Sequence, residues 1–196
     1  QSDRRFDLGG EDLLAAIEFH QGTDTFDLVR AHREIPSTAV WDSHIAADGL
    51  WVTSQMGLFY APKQGNLELV YADDPVLGAP NRVVLGRRDE IWVGTLRGLS
   101  LIKNGVAREI RCGADLPFGY VYAIVVDHEG RLWLCTLGRG LWRERLDGEF
   151  EQLGQAPFSP FGNTYAIAFR ADGEMVVLQD ENVIVAKAEG AARVIQ

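Results

Sequence analysis

A chain of 196 residues, 46% hydrophobic and 24% charged with 21 glycines, is long enough for a domain with a substantial core, and its many turn residues lean towards an all-β protein. Its formal net charge of −9 argues against a general nucleic-acid binder, which would carry a basic face. No apolar run approaches the roughly 20 residues that cross a bilayer as a helix, so membrane contact is expected only through flanking segments. The two cysteines, Cys112 and Cys135, are not expected to pair, because a large repeat core needs no disulfide. With Gln1 in place of an initiator methionine, the chain reads as a processed or excised piece whose address signals lie elsewhere.

Taken in order, residues 11–35 are the least regular. Apolar residues over 13–19, turn residues at 21–24 and a second apolar run over 26–29 read as two strands of a degenerate repeat. A helix over 11–19 is the rival, since Leu13 and Ile17 also fit the helical period. The second unit, 36–72, holds four strands at 40–45, 50–53, 57–60 and 67–71. The third, 79–111, repeats them at 81–85, 91–93, 99–102 and 107–110. The fourth, 119–153, does so at 121–126, 132–134, 141–143 and 150–153, and the fifth, 163–196, at 165–169, 174–178, 183–186 and 192–195. Trp51, Trp92 and Trp133 stand 41 residues apart, and Val176 takes that place 43 residues later. A fixed period of four short strands predicts a β-propeller of four-stranded antiparallel blades, with about five blades present. The near-continuous apolar first strands are expected beside the axis with both faces covered. The fourth strands, which alternate with charge, are expected at the wet rim.

The phrase Val121-Tyr122-Ala123-Ile124-Val125-Val126-Asp127-His128-Glu129-Gly130-Arg131-Leu132-Trp133-Leu134-Cys135-Thr136, followed by Gly138 and Gly140-Leu141, resembles the two component regulator propeller repeat. Residues 81–102 and 38–60 match more loosely, and 164–185 in its turn alone. The resemblance implies a periplasmic or extracytoplasmic sensory region, set before a membrane-spanning helix and a histidine kinase or diguanylate cyclase, with carbohydrates among the ligands. The family usually builds larger propellers. The chain therefore either closes as a small one or forms part of a larger one, its open faces covered by remaining blades or by a second copy in a homodimer.

A tryptophan at the same place in every blade is a packing position, and Asp48, Asp89, Asp127 and Asp172 fall where an aspartate caps its own turn. The positions that vary are more informative. Ten or eleven residues before the repeat tryptophan, or before Val176, stand Trp41, Arg82, Tyr122 and Tyr165. Around one axis these would form a wall for stacking sugar rings or other planar ligands. His44, Asn81, Tyr120 and Asn163 are expected nearby. Gln55, Arg97, Arg139 and Asp180 lie on neighbouring loops, where they can hydrogen-bond hydroxyls or carboxylates. Alternatively, the aromatics plug a narrow channel.

His20, His32, His44 and His128 lack metal-ligand spacing. No nucleophile elbow, phosphate loop or dinucleotide fingerprint occurs, so no cofactor and no catalytic set is expected. The leading reading is a non-enzymatic sensor that binds a small molecule or oligosaccharide. A propeller lyase or glycan-processing enzyme is the second, and a purely structural assembly domain the third.

Overall fold

The computed structural model describes residues 14–20, 25–32, 40–46, 49–54, 56–62, 68–71, 80–85, 90–103, 106–110, 118–187 and 192–195. The irregular beginning resolves in favour of strands. β1 (Leu14–His20) and β2 (Thr25–His32) pair antiparallel, and no helix occurs among the described residues.

Each later repeat folds into its own four-stranded antiparallel meander. The first sheet holds β3 (Val40–Ile45), β4 (Gly49–Ser54), β5 (Gly57–Pro62) and β6 (Glu68–Tyr71). The second holds β7 (Pro80–Leu85), β8 (Ile91–Thr95), β9 (Leu99–Lys103) and β10 (Val106–Ile110). The third holds β11 (Tyr120–Val126), β12 (Leu132–Leu137), β13 (Leu141–Glu144) and β14 (Phe150–Leu153). The fourth holds β15 (Thr164–Phe169), β16 (Glu174–Gln179), β17 (Asn182–Lys187) and β18 (Ala192–Ile195). The leading strands β3, β7, β11 and β15 lie against one another in succession, so the sheets fan about a common axis. The fold is an all-β propeller.

Strand alternation explains how the sheets join. Successive side chains face opposite ways, so one strand serves two interfaces. Trp51 and Leu58 of the first sheet pack on Val93 and Ile102 of the second. Trp92 and Leu99 of the second meet Phe118, Leu132 and Leu134 of the third. Trp133, Cys135 and Leu141 of the third meet Ile167, Met175 and Ile184 of the fourth. The repeat tryptophans are therefore buried blade-to-blade packing residues, as the sequence predicts. Trp133 also lies 5.3 Å from Phe169 of the next sheet, centroid to centroid.

One expectation needs correction. In the first and third sheets the second strand, not the first, is the most completely covered: β4 and β12 are buried along almost their whole length, while β3 is largely exposed or half-buried and β11 largely half-buried. A second strand has hydrogen-bonded neighbours on both edges and sheets on both faces. A first strand turns one edge to the axis.

The turns carry the aspartates as expected wherever they are described. Asp127 Oδ1 accepts hydrogen bonds from the backbone N–H of Glu129 and of Arg131, each at 2.9 Å, while Gly130 supplies the positive φ of 76°. Asp172 Oδ1 accepts from Glu174 N–H at 3.0 Å. Asp48 and Asp89 lie outside the described residues. Cys135 is a buried free thiol whose pKa burial pushes up to about 12; Cys112 lies outside the described residues.

Candidate functional site at one end of the axis

The four meanders run in the same sense. The starts of the leading strands, the turns between second and third strands, and the connections from one sheet to the next therefore share one end of the propeller. Hydroxyls hold that end in shape. Thr95 Oγ1 accepts from the N–H of Arg97 (3.1 Å) and of Gly98 (2.9 Å) and donates to Gly98 O at 3.0 Å. Thr136 Oγ1 donates to Gly140 O at 2.7 Å, and Ser54 Oγ accepts from Met56 N–H at 3.1 Å. The repeat's hydroxyl after its tryptophan is thus a turn brace, a role the sequence reading left unassigned.

A β-bulge opens each leading strand. The register slips between Val40 and Asp42, Pro80 and Arg82, Val121 and Ala123, and Thr164 and Ala166. The extra residue is Trp41, Asn81, Tyr122 or Tyr165, left unpaired in the ladder. This corrects the predicted ring. Arg82 pairs with Gly94 as Asp42 pairs with Thr53 and Ala123 with Cys135, so the position equivalent to Trp41 is Asn81, not Arg82. The miscount has a local cause. Ile45 and Leu50 pair across the first hairpin, five positions apart, whereas Leu85 and Ile91, like Val126 and Leu132, are six apart. The first sheet's turn is one residue shorter.

Three of the predicted aromatics come together. Tyr120 and Tyr122 lie 6.0 Å apart, and Tyr122 meets Tyr165 of the next sheet edge-on at 5.6 Å, a favoured geometry for ring quadrupoles. All three rings are half-buried, and Trp41 on the first sheet is 46% exposed. The stem of Arg139 lies over Gly119, where a Cβ would stand 3.6 Å from its Cδ. This predicted cation is thereby placed beside the start of the tyrosine strand. Asn163 is tied to the neighbouring turn: its N–H donates to Asp180 Oδ1 and its carbonyl accepts from Asp180 N–H, both at 2.8 Å. Arg97 is exposed in the β8–β9 turn.

His44 does not join this group. It pairs across from Trp51 near the far end of β3, about 10 Å along the strand from Trp41 at ~3.3 Å per residue. Burial lowers its pKa, offset in part by the Asp42 carboxylate. Among the described residues no cluster of His, Cys, Asp and Glu is set to hold a metal ion.

The sequence reading passed over the connection from β14 to β15. Gln179, almost wholly buried, accepts from Ser159 N–H at 2.6 Å through Oε1. Its Nε2 donates to Ser159 O at 3.0 Å and to Thr164 Oγ1 at 2.9 Å. Gln152 Nε2 donates to Pro160 O at 2.6 Å, and Gly140 N–H to Gly162 O at 2.9 Å. The loop is clamped from two strands and the β12–β13 turn, yet Phe161 at its tip is 83% exposed. Only the position of a glutamine where other repeats carry a hydroxyl hints at this in the sequence. A separate groove of about 500 Å³ lies on the outer strands, between Glu151 and Gln152 of β14 and Met175, Lys187 and Ala192 of the fourth sheet.

With this geometry in hand, the repeat can be matched. Residues 115–138 match the family model described as two component regulator propeller. The chain carries that family's repeat. No curated protein is significantly similar in sequence. Among solved structures, the chain is similar to virginiamycin B lyase from Staphylococcus aureus, with 14% identity and a TM-score of 0.64 over 81% of this chain and 56% of that one. It is also similar to two extracellular domains ascribed to hybrid two component systems of B. thetaiotaomicron. One has 19% identity and a TM-score of 0.62 over 84% of this chain and 23% of that one. The other has 16% identity and a TM-score of 0.64 over 96% of this chain and 27% of that one. The chain thus spans little more than half the lyase and about a quarter of each extracellular domain. At such identities the similarity is one of fold.

Proposed function

We propose that this propeller is the ligand-sensing part of an extracytoplasmic signalling protein, and that it binds rather than transforms its ligand. The tyrosine cluster carries this reading. Tyr120, Tyr122 and Tyr165 are half-buried rings from two sheets that come together at the axis end, Tyr122 and Tyr165 at the bulges of their strands. Trp41 and Asn81 occupy the corresponding bulges, and Arg139 adds a guanidinium. Such a wall suits a carbohydrate-like or other small ligand with one flat apolar face and hydroxyl or carboxylate edges. The similarity to extracellular domains of two component systems supports the sensory role and the location outside the cytoplasm. The shorter length against the lyase supports further blades completing the ring.

The test is titration of the wild-type chain and the Tyr122→Ala/Tyr165→Ala double variant with a panel of oligosaccharides, followed by tryptophan fluorescence. Binding should fall at least about tenfold in a variant that keeps its β circular dichroism. Undiminished binding in the folded variant would place the ligand elsewhere. The similarity to virginiamycin B lyase supports a second, catalytic reading on the same end. Consumption of virginiamycin B by the purified chain would promote it over the sensor.

A further inference from the structure

The tyrosine-bearing end also carries exposed apolar side chains, of which only Trp41 belongs to the ligand wall. Met56 in the β4–β5 turn is 41% exposed, Leu96 in the β8–β9 turn 49%, and Phe161 in the β14–β15 connection 83%; Val40 and Trp41 stand beside them at the start of β3. They come from different sheets and meet at one end only because every meander runs the same way. At the opposite end Ile45 and Leu146 are exposed on separate hairpins, the scattered kind of exposure that needs no explanation.

Phe161 is the most telling of the group. A loop free to rearrange could fold a phenylalanine inward, which apolar burial favours. Here the hydrogen bonds from Gln152, Gln179 and Gly140 fix the loop with its ring outward. The polar groups around it are spent inside the fold. Asp180 holds Asn163, Gln179 holds Ser159 and Thr164, and the turn hydroxyls hold their own backbones. Of the residue types present, Trp, Met, Phe, Tyr and Arg are enriched in protein–protein interfaces, where Lys is depleted. The described lysines, Lys103 and Lys187, lie at the opposite end of their strands. Arg97 and Arg139 have no ion-pair partner among the described residues, and both stand on this end, so the rim over the second and third sheets favours carboxylates on the occupant.

We propose that this outer crown is a docking surface for an extended polypeptide segment with bulky apolar side chains and at least one carboxylate. Phe161 and Leu96 are the anchors and Arg97 the charge partner. The surface surrounds the tyrosine wall but uses other residues, so the two readings stand or fall separately.

A displayed library of random short peptides would be selected on the wild-type chain. Each enriched peptide would then be titrated against Leu96→Ser, Phe161→Ser, Arg97→Glu, Tyr122→Ala and the opposite-end control Leu146→Ser. The expected peptides carry aromatic or aliphatic residues with Asp or Glu. They should lose at least about tenfold in affinity in Phe161→Ser and Leu96→Ser, weaken in Arg97→Glu with a marked salt dependence, and remain unchanged in Leu146→Ser. The substituted side chains at 96, 161 and 146 are exposed, so the fold should survive, as circular dichroism would check. Selection of peptides that ignore Phe161 and Leu96, enrichment of basic peptides, or no enrichment overturns the proposal. Self-association of the wild-type chain that Phe161→Ser abolishes also overturns it, because the occupant would then be a second copy. Oligosaccharide binding lost in Tyr122→Ala but kept in Phe161→Ser would leave the sensor reading standing whatever the peptide result.

Discussion

The third and fourth sheets solve the same packing problem differently. In the third, Trp133 is fully buried and its Nε1–H donates to Asp127 Oδ2 at 2.9 Å, while Arg131 Nε donates to the same oxygen at 2.8 Å. The Arg143 guanidinium lies 5.6 Å above the indole. In the fourth, Val176 occupies the tryptophan's place, half-buried, and Asp172 braces its turn through Glu174 N–H. The turn aspartates therefore do separable jobs. Asp127, three residues before Gly130, braces its turn and also anchors the indole that joins one blade to the next; Asp172, immediately before Gly173, braces its turn alone, and Arg170 stands where Asp127 does.

This comparison can be broken by substitution. Trp133→Ala should have the greatest effect, about 3–5 kcal/mol, with Tm falling roughly 2–4 °C per kcal/mol. Val176→Ala should cost about 1 kcal/mol. Equal losses in thermal melts would mean that the two positions carry the same load. Next, Asp127→Ala should cost about 2–3 kcal/mol, because it removes the charged acceptor of a buried indole N–H and of two backbone N–H groups. Asp172→Ala, which removes a turn brace, should cost about 1 kcal/mol. If Asp127→Ala were as mild as Asp172→Ala, the anchor would contribute nothing beyond the turn.

Acid sharpens the same contrast. Burial raises the Asp127 pKa, but hydrogen bonds from Trp133 and Arg131, with the Arg131 charge, outweigh it, so the carboxyl titrates below its ordinary value. Its folded-state pKa is thus depressed. The stability it contributes is complete above the unfolded value near 3.8 and is lost as pH falls through the folded value. Denaturant melts of the wild type should weaken more steeply below that pH than those of Asp127→Asn. Parallel pH profiles would refute the assignment. The smallest effect is expected for Thr136→Val, about 1 kcal/mol or less, with ligand affinity more affected than stability if, as we propose, the ligand binds at the end this brace shapes.

What the sequence by itself determined was everything written in local periods. The alternation of side chains fixed which residues face which neighbouring sheet, and the spacing of the tryptophans marked the blades. The glycines and aspartates located the turns, because pleat and turn chemistry act over a few residues. Tyr122, Tyr165 and Trp41 were legible in the same way, as variable positions in a fixed frame. What only the tertiary structure decided was register and reach. A single bulge residue and a turn shorter by one place Asn81, not Arg82, in the ring, and a count along the chain cannot see a slip that cross-strand pairing alone defines. His44 lies towards the far end of its strand for the same reason: nearness in sequence is distance along an extended chain. Phe161 had no period to announce it. Its outward pose depends on Gln152, Gln179 and Gly140, which are remote in sequence and converge only when the third and fourth sheets pack together.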